Sequence, residues 1–224
     1  MKKMSIITRA YKDFFYNNEN PEIKYIIKGK LYFENISNYF SKFHQFPYTE
    51  KILLNKFIKG PVLDIGAGAG RVTLYLQNKG IPSIALDKES ELVKIGKKRG
   101  IINYCNCNFF KFTPSKQFNT ILLLGNTLGA FHNDNLLNQL FKKTNSLITT
   151  GGSQLISFTD LNYLNLNHSE TIEIKTEYKN QKEIFKWKFY SFKKLIEISK
   201  KNNFKLIAKY NYNFLNGLVL RKIP

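Results

Sequence analysis

The stretch "GPVLDIGAGAGRVTLYLQNKG", Gly60 to Gly80, decides the fold, because three glycines within five positions separate an apolar run from an amphipathic run. The apolar run, Val62–Ile65, predicts a buried strand, and Arg71–Asn78 predicts a helix. The loop between them presents unpaired backbone N–H groups at the positive end of the helix dipole. Glycine permits positive φ and lets a ligand lie against the backbone. The stretch therefore predicts a strand, loop and helix that bind a nucleotide-like ligand.

Downstream of this stretch, short apolar runs alternate with amphipathic runs, which is typical of a parallel sheet with helices on both faces. The predicted strands are Val62–Ile65, Ser83–Leu86, Ile101–Cys105, Thr120–Leu124 and Gln154–Phe158. The other predicted helices are Ser90–Lys98, Asn135–Leu147 and Ser191–Asn202. Two final strands, Phe204–Tyr210 and Leu215–Leu220, are too close together for a crossover and must pair antiparallel. We predict an α/β fold with a seven-stranded, mostly parallel, doubly wound sheet and an antiparallel last strand.

Two segments are added to this sheet. The runs "KGKLYFENISNYFSKF" and "PYTEKILLNKFI" place apolar residues at helical spacing, so residues 1–59 are predicted to form a helical N-terminal extension or lid. An insertion at about residues 160–190 alternates apolar and charged residues on both sides of a "KNQK" turn, which predicts a β-hairpin. The main domain is expected to span residues 60–224.

The composition is that of a globular protein with one sizeable core, since 43% of the 224 residues are hydrophobic. No apolar run approaches the roughly 20 residues of a membrane helix. The N-terminus has no apolar signal segment, so we expect a cytoplasmic protein. Cys105 and Cys107 lie one residue apart and supply too few ligands for zinc, so no metal site is predicted.

The net charge of +19 favours a polyanionic partner such as nucleic acid. Nearly all the basic residues are Lys, however, and the Lys pairs fall on the polar faces of predicted helices. A solvated surface is therefore the favoured interpretation, and nucleic-acid binding is the alternative.

The spacing of the glycines argues against a dinucleotide-binding loop. That loop, G-x-G-x-x-G, requires its third glycine at position 71, which is Arg71, whereas this chain has G-x-G-x-G. The block "VLDIGAGAGR" instead resembles the first motif of the class I S-adenosylmethionine-dependent methyltransferases. The resemblance implies S-adenosyl-L-methionine as cofactor and methyl transfer as activity. The cofactor-binding positions that match the motif are Asp64, Gly66, Ala67, Gly68 and Gly70.

The same resemblance implies a ribose and an adenine contact. Asp87 ends the second predicted strand, where the family places a carboxylate that accepts from both ribose hydroxyls, and Lys88 follows it in the cofactor site. Two acceptor oxygens suit a vicinal diol. Asn108 stands where the family usually has an acidic residue that meets the adenine amino group. The ring of Phe109 is expected to cover the adenine face.

The end of the fourth predicted strand resembles the motif at which substrate and methyl group meet in this family. Leu124, Gly125 and Asn126 are therefore expected beside the cofactor. His132 follows the same strand and is the candidate general base, because imidazole titrates near neutrality. A surface imidazole beside the cap residue Asp134 is the alternative. Aromatic residues expected to line the substrate pocket are Tyr32, Phe40, Tyr48 and Trp187.

These observations predict methyl transfer to O or N of a small-molecule acceptor. No Asn-Pro-Pro-Tyr-like tetrad follows the fourth strand and no Pro-Cys nucleophile is present, which disfavours methylation of DNA bases. Two alternatives stay open. One is an RNA or other polyanion methyltransferase that uses the basic surface, and the other is a catalytically silent module that binds the cofactor.

Overall fold

The computed structural model describes residues 4–224, which form two β-sheets and six α-helices. The helices are α1 (Ile6–Asn17), α2 (Tyr48–Phe57), α3 (Arg71–Asn78), α4 (Ser90–Lys98), α5 (Asp134–Leu147) and α6 (Phe192–Lys201). The first strands are β1 (Glu22–Ile27), β2 (Lys30–Asn35), β3 (Val62–Ile65), β4 (Ser83–Asp87), β5 (Tyr104–Asn106) and β6 (Phe118–Leu123). The later strands are β7 (Ile148–Thr159), β8 (Glu170–Tyr178), β9 (Gln181–Phe189), β10 (Phe204–Tyr212) and β11 (Leu215–Lys222). Within this described part, no helix combines the length and the apolar character that a membrane crossing requires.

The larger sheet has seven strands in the order β10-β11-β7-β6-β3-β4-β5. Strands β3 to β7 pair parallel with one another, and β11 lies antiparallel between β7 and β10. This arrangement confirms the predicted seven-stranded, mostly parallel sheet with an antiparallel last strand. The carboxyl ends of β3, β4 and β6 meet at one edge of the sheet, which is where ligands bind in folds of this kind.

Both faces of this sheet are buried, which explains why its strands are continuous apolar runs. On one face Leu63 and Ile121 belong to a core that includes side chains of α5 and α6. On the other face Val62 and Leu122 pack with side chains of α2 and α3. The doubly wound arrangement follows from these two cores.

The third predicted strand, Ile101–Cys105, is displaced, because β5 begins at Tyr104. Ile101 is buried for another reason. Its backbone N–H donates to the carbonyl of Gly96 at 3.1 Å, which closes the end of α4, and its side chain packs with Val93 and Ala85. Ile101 therefore belongs to the end of α4 and not to the strand that follows.

The smaller sheet has four strands in the order β2-β1-β8-β9. The predicted inserted hairpin is confirmed as β8 and β9, which pair from Glu170↔Phe189 to Tyr178↔Gln181. The helical interpretation of "KGKLYFEN" is wrong, since Lys30–Asn35 is strand β2 and pairs with β1. The turn between β1 and β2 has positive φ at both Lys28 and Gly29, as a two-residue hairpin requires. Pairing of β1 with the distant β8 stabilises this hairpin, and local periodicity contains no such information.

Helix α1 packs against α4 and against the loop that precedes α3. Its residues Ala10 and Tyr11 are buried and pack with Ala69, Leu92 and Ile95. The N-terminal extension therefore brings α1 to the loop between β3 and α3.

Candidate active site

The glycine loop, residues 66–70, connects β3 to α3 and requires glycine at three positions. Gly66, Gly68 and Gly70 have φ of +69°, +60° and +78°, a region that side chains rarely adopt. A Cβ atom at Gly66 would also lie 2.7 Å from Cγ2 of Thr127. The glycine loop thus has the positive φ angles that its glycines predict.

Asp87, at the end of β4, faces the glycine loop rather than bulk solvent. Its Oδ2 accepts from the backbone N–H of Gly68 at 3.0 Å, and its Oδ1 accepts from the N–H of Glu89 at 2.9 Å. Burial raises the pKa of Asp87, and the two backbone hydrogen bonds oppose part of that rise. A carboxylate has about four lone-pair positions. The remaining two can accept hydrogen bonds from a ligand.

Three further side chains hold the glycine loop. The hydroxyl of Tyr104 donates to the carbonyl of Gly68, and Nη1 of Arg99 donates to the carbonyl of Ala69 at 2.6 Å. Nη2 of Arg99 donates to the carbonyl of Phe40 at 3.1 Å and so connects the loop to the N-terminal extension. The ring of Tyr11 lies over the loop, with its hydroxyl 3.6 Å from the position of a Cβ at Gly68.

Asp64 is buried in β3, directly before the glycine loop. Its Oδ2 accepts from Oγ1 of Thr73 at 2.7 Å. Burial raises the pKa of Asp64 to about 6, although the Thr73 hydrogen bond and the charge of Arg71 oppose the rise. The ionised form of Asp64 therefore destabilises the folded protein. Asp64 lies beside the glycine loop, where a ligand is expected.

The raised pKa of Asp64 predicts a pH dependence of stability. The folded state holds this proton more tightly than the unfolded state, so the free energy of unfolding falls as pH rises from about 4 to about 6. The loss of free energy of unfolding that Asp64 causes over this pH range is about 3 kcal/mol. Urea denaturation of wild type and Asp64→Asn at pH 4 and pH 7 measures it, and the wild type should lose stability relative to the variant between these values. A difference that does not change with pH would contradict this assignment.

A buried ion pair lies where α2 meets the ends of β6 and β7. Oε2 of Glu50 accepts from Nη2 of Arg71 at 2.6 Å, and both side chains are nearly or fully buried. Oε1 of Glu50 accepts from the backbone N–H of Gly125 at 3.1 Å and from Oγ of Ser157 at 2.8 Å. The Arg71 guanidinium lies 4.4 Å from the centroid of the Phe46 ring. Nη1 of Arg71 is buried and has no hydrogen-bond partner among the residues that the structure describes.

A cavity of about 310 Å³ opens beside this ion pair, and we refer to it as the central cavity. It is bounded by the N-terminal extension on one side and by the carboxyl end of β6 on the other. The lining residues that matter for its chemistry are Glu34, Tyr39, Tyr48, Arg71, Gly125 and Asn126. The cavity therefore joins α3, which follows the glycine loop, to the strand end at which an acceptor is expected.

Of the three residues predicted beside the cofactor at the end of the fourth predicted strand, two line the central cavity. Gly125 and Asn126 border it, while the side chain of Leu124 is buried in the apolar core. Asn126 has φ of +63°, and its Oδ1 accepts from the backbone N–H of Thr159 at 2.6 Å. This bond fixes the end of β6 against β7.

The structure places Asn108, Phe109 and Lys88 away from the central cavity. Oδ1 of Asn108 accepts from the backbone N–H of Phe110 at 2.9 Å, so this oxygen caps a short 3₁₀ turn. Phe109 is buried in the main core, and Lys88 is exposed. The adenine and cofactor roles of these residues stay predictions, and the buried position of Phe109 does not favour stacking.

His132 lies in the connection before α5 and does not line the central cavity. Its carbonyl accepts from Oγ1 of Thr171 at 2.7 Å, which joins this connection to β8. The role of His132 as a general base stays a prediction. Asp134 beside it forms ion pairs with Lys188 and Lys194.

One of the four aromatic residues expected in the pocket lines the central cavity, and it is Tyr48. Phe40 packs under the Arg99 guanidinium, 4.7 Å from ring centroid to Cζ. Tyr32, on strand β2 of the smaller sheet, contacts Tyr163 in the 3₁₀ turn after β7. Trp187 packs against Gly129, where a Cβ atom would lie 1.9 Å from the indole nitrogen.

Sequence reasoning missed several residues at this site, and only one of them carried a usable signal. Glu50 lies on the same helical face as Leu53 and Leu54, so a charged residue within an apolar stripe indicated a buried carboxylate. Tyr11 and Glu34 carried no such signal, because each reaches the site from an element of the N-terminal extension. Arg71 was noted as the replacement of a glycine, without a structural role.

The two cysteines do not line the central cavity. Cys105 and Cys107 are free thiols with sulfur atoms 3.4 Å apart. Within residues 4–224, no three His, Cys, Asp or Glu side chains are grouped so that they would hold a metal ion.

The strand order, the antiparallel penultimate strand of the sheet and the glycine loop are those of the class I S-adenosylmethionine-dependent methyltransferase fold. The whole chain is similar to a solved S-adenosylmethionine-dependent methyltransferase from Bacteroides fragilis in complex with S-adenosyl-L-homocysteine. The TM-score is 0.82 at 24% identity, and the match covers 97% of this chain and 94% of the other.

Two other solved structures share the fold over about three quarters of the chain. The CcbJ methyltransferase from Streptomyces caelestis has a TM-score of 0.63 at 12% identity, covering 78% of this chain and 93% of its own. The glycopeptide N-methyltransferase MtfA has a TM-score of 0.63 at 15% identity, and the match covers 77% of this chain and 88% of MtfA. Comparison with protein-family models and with curated protein sequences gives no match.

Proposed function

We propose that this chain binds S-adenosyl-L-methionine and transfers its methyl group to O or N of a small-molecule acceptor. One observation carries the proposal. The glycine loop and the Asp87 carboxylate are hydrogen-bonded to each other at the carboxyl ends of β3 and β4, within a methyltransferase fold. The solved structures with this fold include proteins named as methyltransferases, among them an N-methyltransferase.

The residues of the site fit the proposed cofactor. Asp87 keeps two lone-pair positions for the ribose hydroxyls, as described above. The unpartnered Nη1 of Arg71 is a buried donor that a carboxylate of the methionine part would satisfy. An unpaired buried donor otherwise costs about 1–3 kcal/mol, so a ligand acceptor at this atom is physically reasonable. The methylated sulfonium supplies an already activated methyl group.

The protein's own residues then have to position the acceptor and exclude water. Asn126 and Gly125 present the end of β6 to the cavity, and Glu50 holds Gly125 through its backbone N–H. Tyr11 covers the glycine loop from α1. Alignment of reacting groups alone supplies roughly 7–11 kcal/mol in favourable model systems.

The size of the central cavity supports a small acceptor. Pockets for small molecules range from about 300 to 1,000 Å³. The central cavity, about 310 Å³, lies at the lower end of this range. An RNA acceptor is supported by the net charge of +19 alone.

Two measurements test the proposed function. Calorimetry with S-adenosylhomocysteine should show binding at one site, and incubation of protein and cell extract with methyl-labelled S-adenosylmethionine should label the small-molecule fraction. Label in the RNA fraction, with retention on RNA that falls steeply with salt, would support the polyanion alternative instead. Binding without label in any fraction would support the silent module, and absence of binding would contradict the proposal.

A further inference from the structure

Glu34 is half-buried where the N-terminal extension borders the central cavity. Glu34 lies on β2 and lines the cavity together with Arg71 and Asn126. The phenol groups of Tyr25 on β1 and Tyr39 after β2 lie next to its carboxyl. The same cavity reaches the end of β6, so Glu34 and the strand end predicted to meet the acceptor share one space.

Glu34 has no cationic partner among the described residues. No Lys, Arg or His nitrogen in residues 4–224 lies within 4.0 Å of its carboxylate, whereas the other carboxylate of the cavity, Glu50, is paired with Arg71. The charge of Arg71 also acts on Glu34, but its hydrogen bond is to Glu50. Within the cavity Glu34 is thus an ionisable group without a counter-charge.

The charge of the cavity is opposite to that of the protein. The chain has 35 Lys and Arg against 16 Asp and Glu, yet among residues 4–224 no Lys lines the central cavity and Arg71 is the only basic residue that does. When both carboxyls are ionised, Glu34 and Glu50 outweigh Arg71 by one negative charge. Arg71 is paired with Glu50 and has Nη1 left for the methionine carboxylate proposed above, so the unpaired Glu34 favours a cationic acceptor over an anionic one.

The geometry points to an amine as the methyl acceptor, with Glu34 binding its ammonium form and receiving its proton. This inference rests on the proposed function and specifies its acceptor. An ammonium ion has no lone pair, so it has to lose a proton before it can attack a methyl group. A carboxylate in the cavity wall both attracts the cation and takes that proton.

Glu34 takes one proton from the ammonium and becomes a neutral carboxylic acid, and the nitrogen gains a free lone pair. The nitrogen forms a bond to the methyl carbon as the carbon–sulfur bond breaks. The sulfur keeps that electron pair and becomes a neutral thioether, and the positive charge passes to the methylated nitrogen. The proton on Glu34 then leaves to solvent when the product departs.

Other groups that face Glu34 are poorly suited to this role. Burial raises the pKa of Tyr11 and of Tyr39 well above the ordinary value, so these phenols stay protonated near neutrality. Burial also raises the pKa of Glu34, against the opposing effects of Tyr39, Tyr25 and Arg71. A carboxyl with a raised pKa is a stronger base than an exposed one.

The experiment combines acceptor charge with one substitution and a matched control. A small-molecule extract is separated on a cation exchanger, and each fraction is incubated with protein and methyl-labelled S-adenosylmethionine. Label should appear in the retained, cationic fraction. Glu34→Gln should lower the rate of labelling at least 10-fold and leave the affinity for S-adenosylhomocysteine within twofold. The control is Glu22→Gln, an exposed carboxylate on the same hairpin, which should change neither quantity.

The pH profile separates a proton-transfer role from a structural one. Wild-type labelling should rise with pH through the raised pKa of Glu34, and Glu34→Gln should lose this rise. Glu34→Asp keeps a carboxylate and should keep the rise at a lower rate. A structural role would instead lower the rates of both variants at every pH and reduce their thermal stability.

The outcomes distinguish this inference from the proposed function. Label only in unretained, neutral or anionic compounds would overturn the amine assignment, as would a Glu34→Gln variant with the wild-type rate and pH profile. Loss of S-adenosylhomocysteine binding in Glu34→Gln would also overturn it, because Glu34 would then act in the cofactor site. If wild type itself binds no S-adenosylhomocysteine and labels nothing, the proposed function has failed.

Discussion

Replacement of Asp87 by alanine should weaken the binding of S-adenosylhomocysteine by at least about 100-fold. The carboxylate is expected to accept one hydrogen bond from each ribose hydroxyl, and a hydrogen bond to a charged group contributes about 1.5–3 kcal/mol. Two such bonds correspond to about 3 kcal/mol or more, at 1.4 kcal/mol for each factor of ten. The variant also frees the backbone N–H of Gly68, so the glycine loop loses one of its restraints. Isothermal titration calorimetry of both proteins measures the difference.

Two further variants give this prediction its controls. Asp87→Asn keeps one acceptor oxygen and should lose less affinity than Asp87→Ala. Glu89→Gln changes the neighbouring carboxylate and leaves the Glu89 backbone N–H to donate to Asp87, so its affinity should equal that of the wild type. Wild-type affinity in Asp87→Ala would mean that the ligand does not lie at the glycine loop.

Replacement of Glu50 by alanine should destabilise the protein by about 3–5 kcal/mol. The substitution leaves the Arg71 guanidinium buried without a counter-charge, and removing one partner of a buried ion pair has costs of this size. Gly125 and Ser157 lose an acceptor at the same time. Because natural proteins are stable by roughly 5–15 kcal/mol, the loss is a large part of the total. Urea denaturation at pH 7 measures it.

A double variant separates the charge effect from the packing effect. Arg71→Met removes the guanidinium and keeps much of its apolar volume, so Glu50→Gln combined with Arg71→Met leaves no unpaired charge. The double variant should be more stable than Glu50→Ala, and the double-mutant cycle should show coupling between the two positions. Strictly additive losses would show that the pair contributes little beyond separate packing.

The glycine loop and the main sheet were predictable because their determinants are local. Gly66, Gly68 and Gly70 have positive φ, and glycine is the residue type that adopts this conformation readily. Strand β3 is a buried run of the chain because both of its faces are covered. Asp87 could be assigned because it ends a strand parallel to and next to β3, so both strand ends meet at one edge. Each of these inferences needs only a short stretch of chain.

The N-terminal hairpin shows where local patterns fail. The aromatic residues of "LYFENISNYF" are compatible with a helical stripe, but Lys30–Asn35 is a strand because β1 pairs with β8, about 150 residues along the chain. Glu34 reaches the central cavity only because of this pairing. No periodicity near position 34 distinguishes its carboxyl from that of an exposed surface glutamate.

Residue order alone therefore determined the class of fold, the conformation of the glycine loop and the place of Asp87, because strand burial and glycine φ are properties of neighbouring residues. Packing between distant elements decided the charge and shape of the central cavity. Glu34, Glu50, Arg71 and Gly125 come from four separate elements, and their environment exists only once α2, β2, α3 and β6 have come together. The energy of a buried charge depends on all of its neighbours at once, and that set of neighbours is a property of the folded chain.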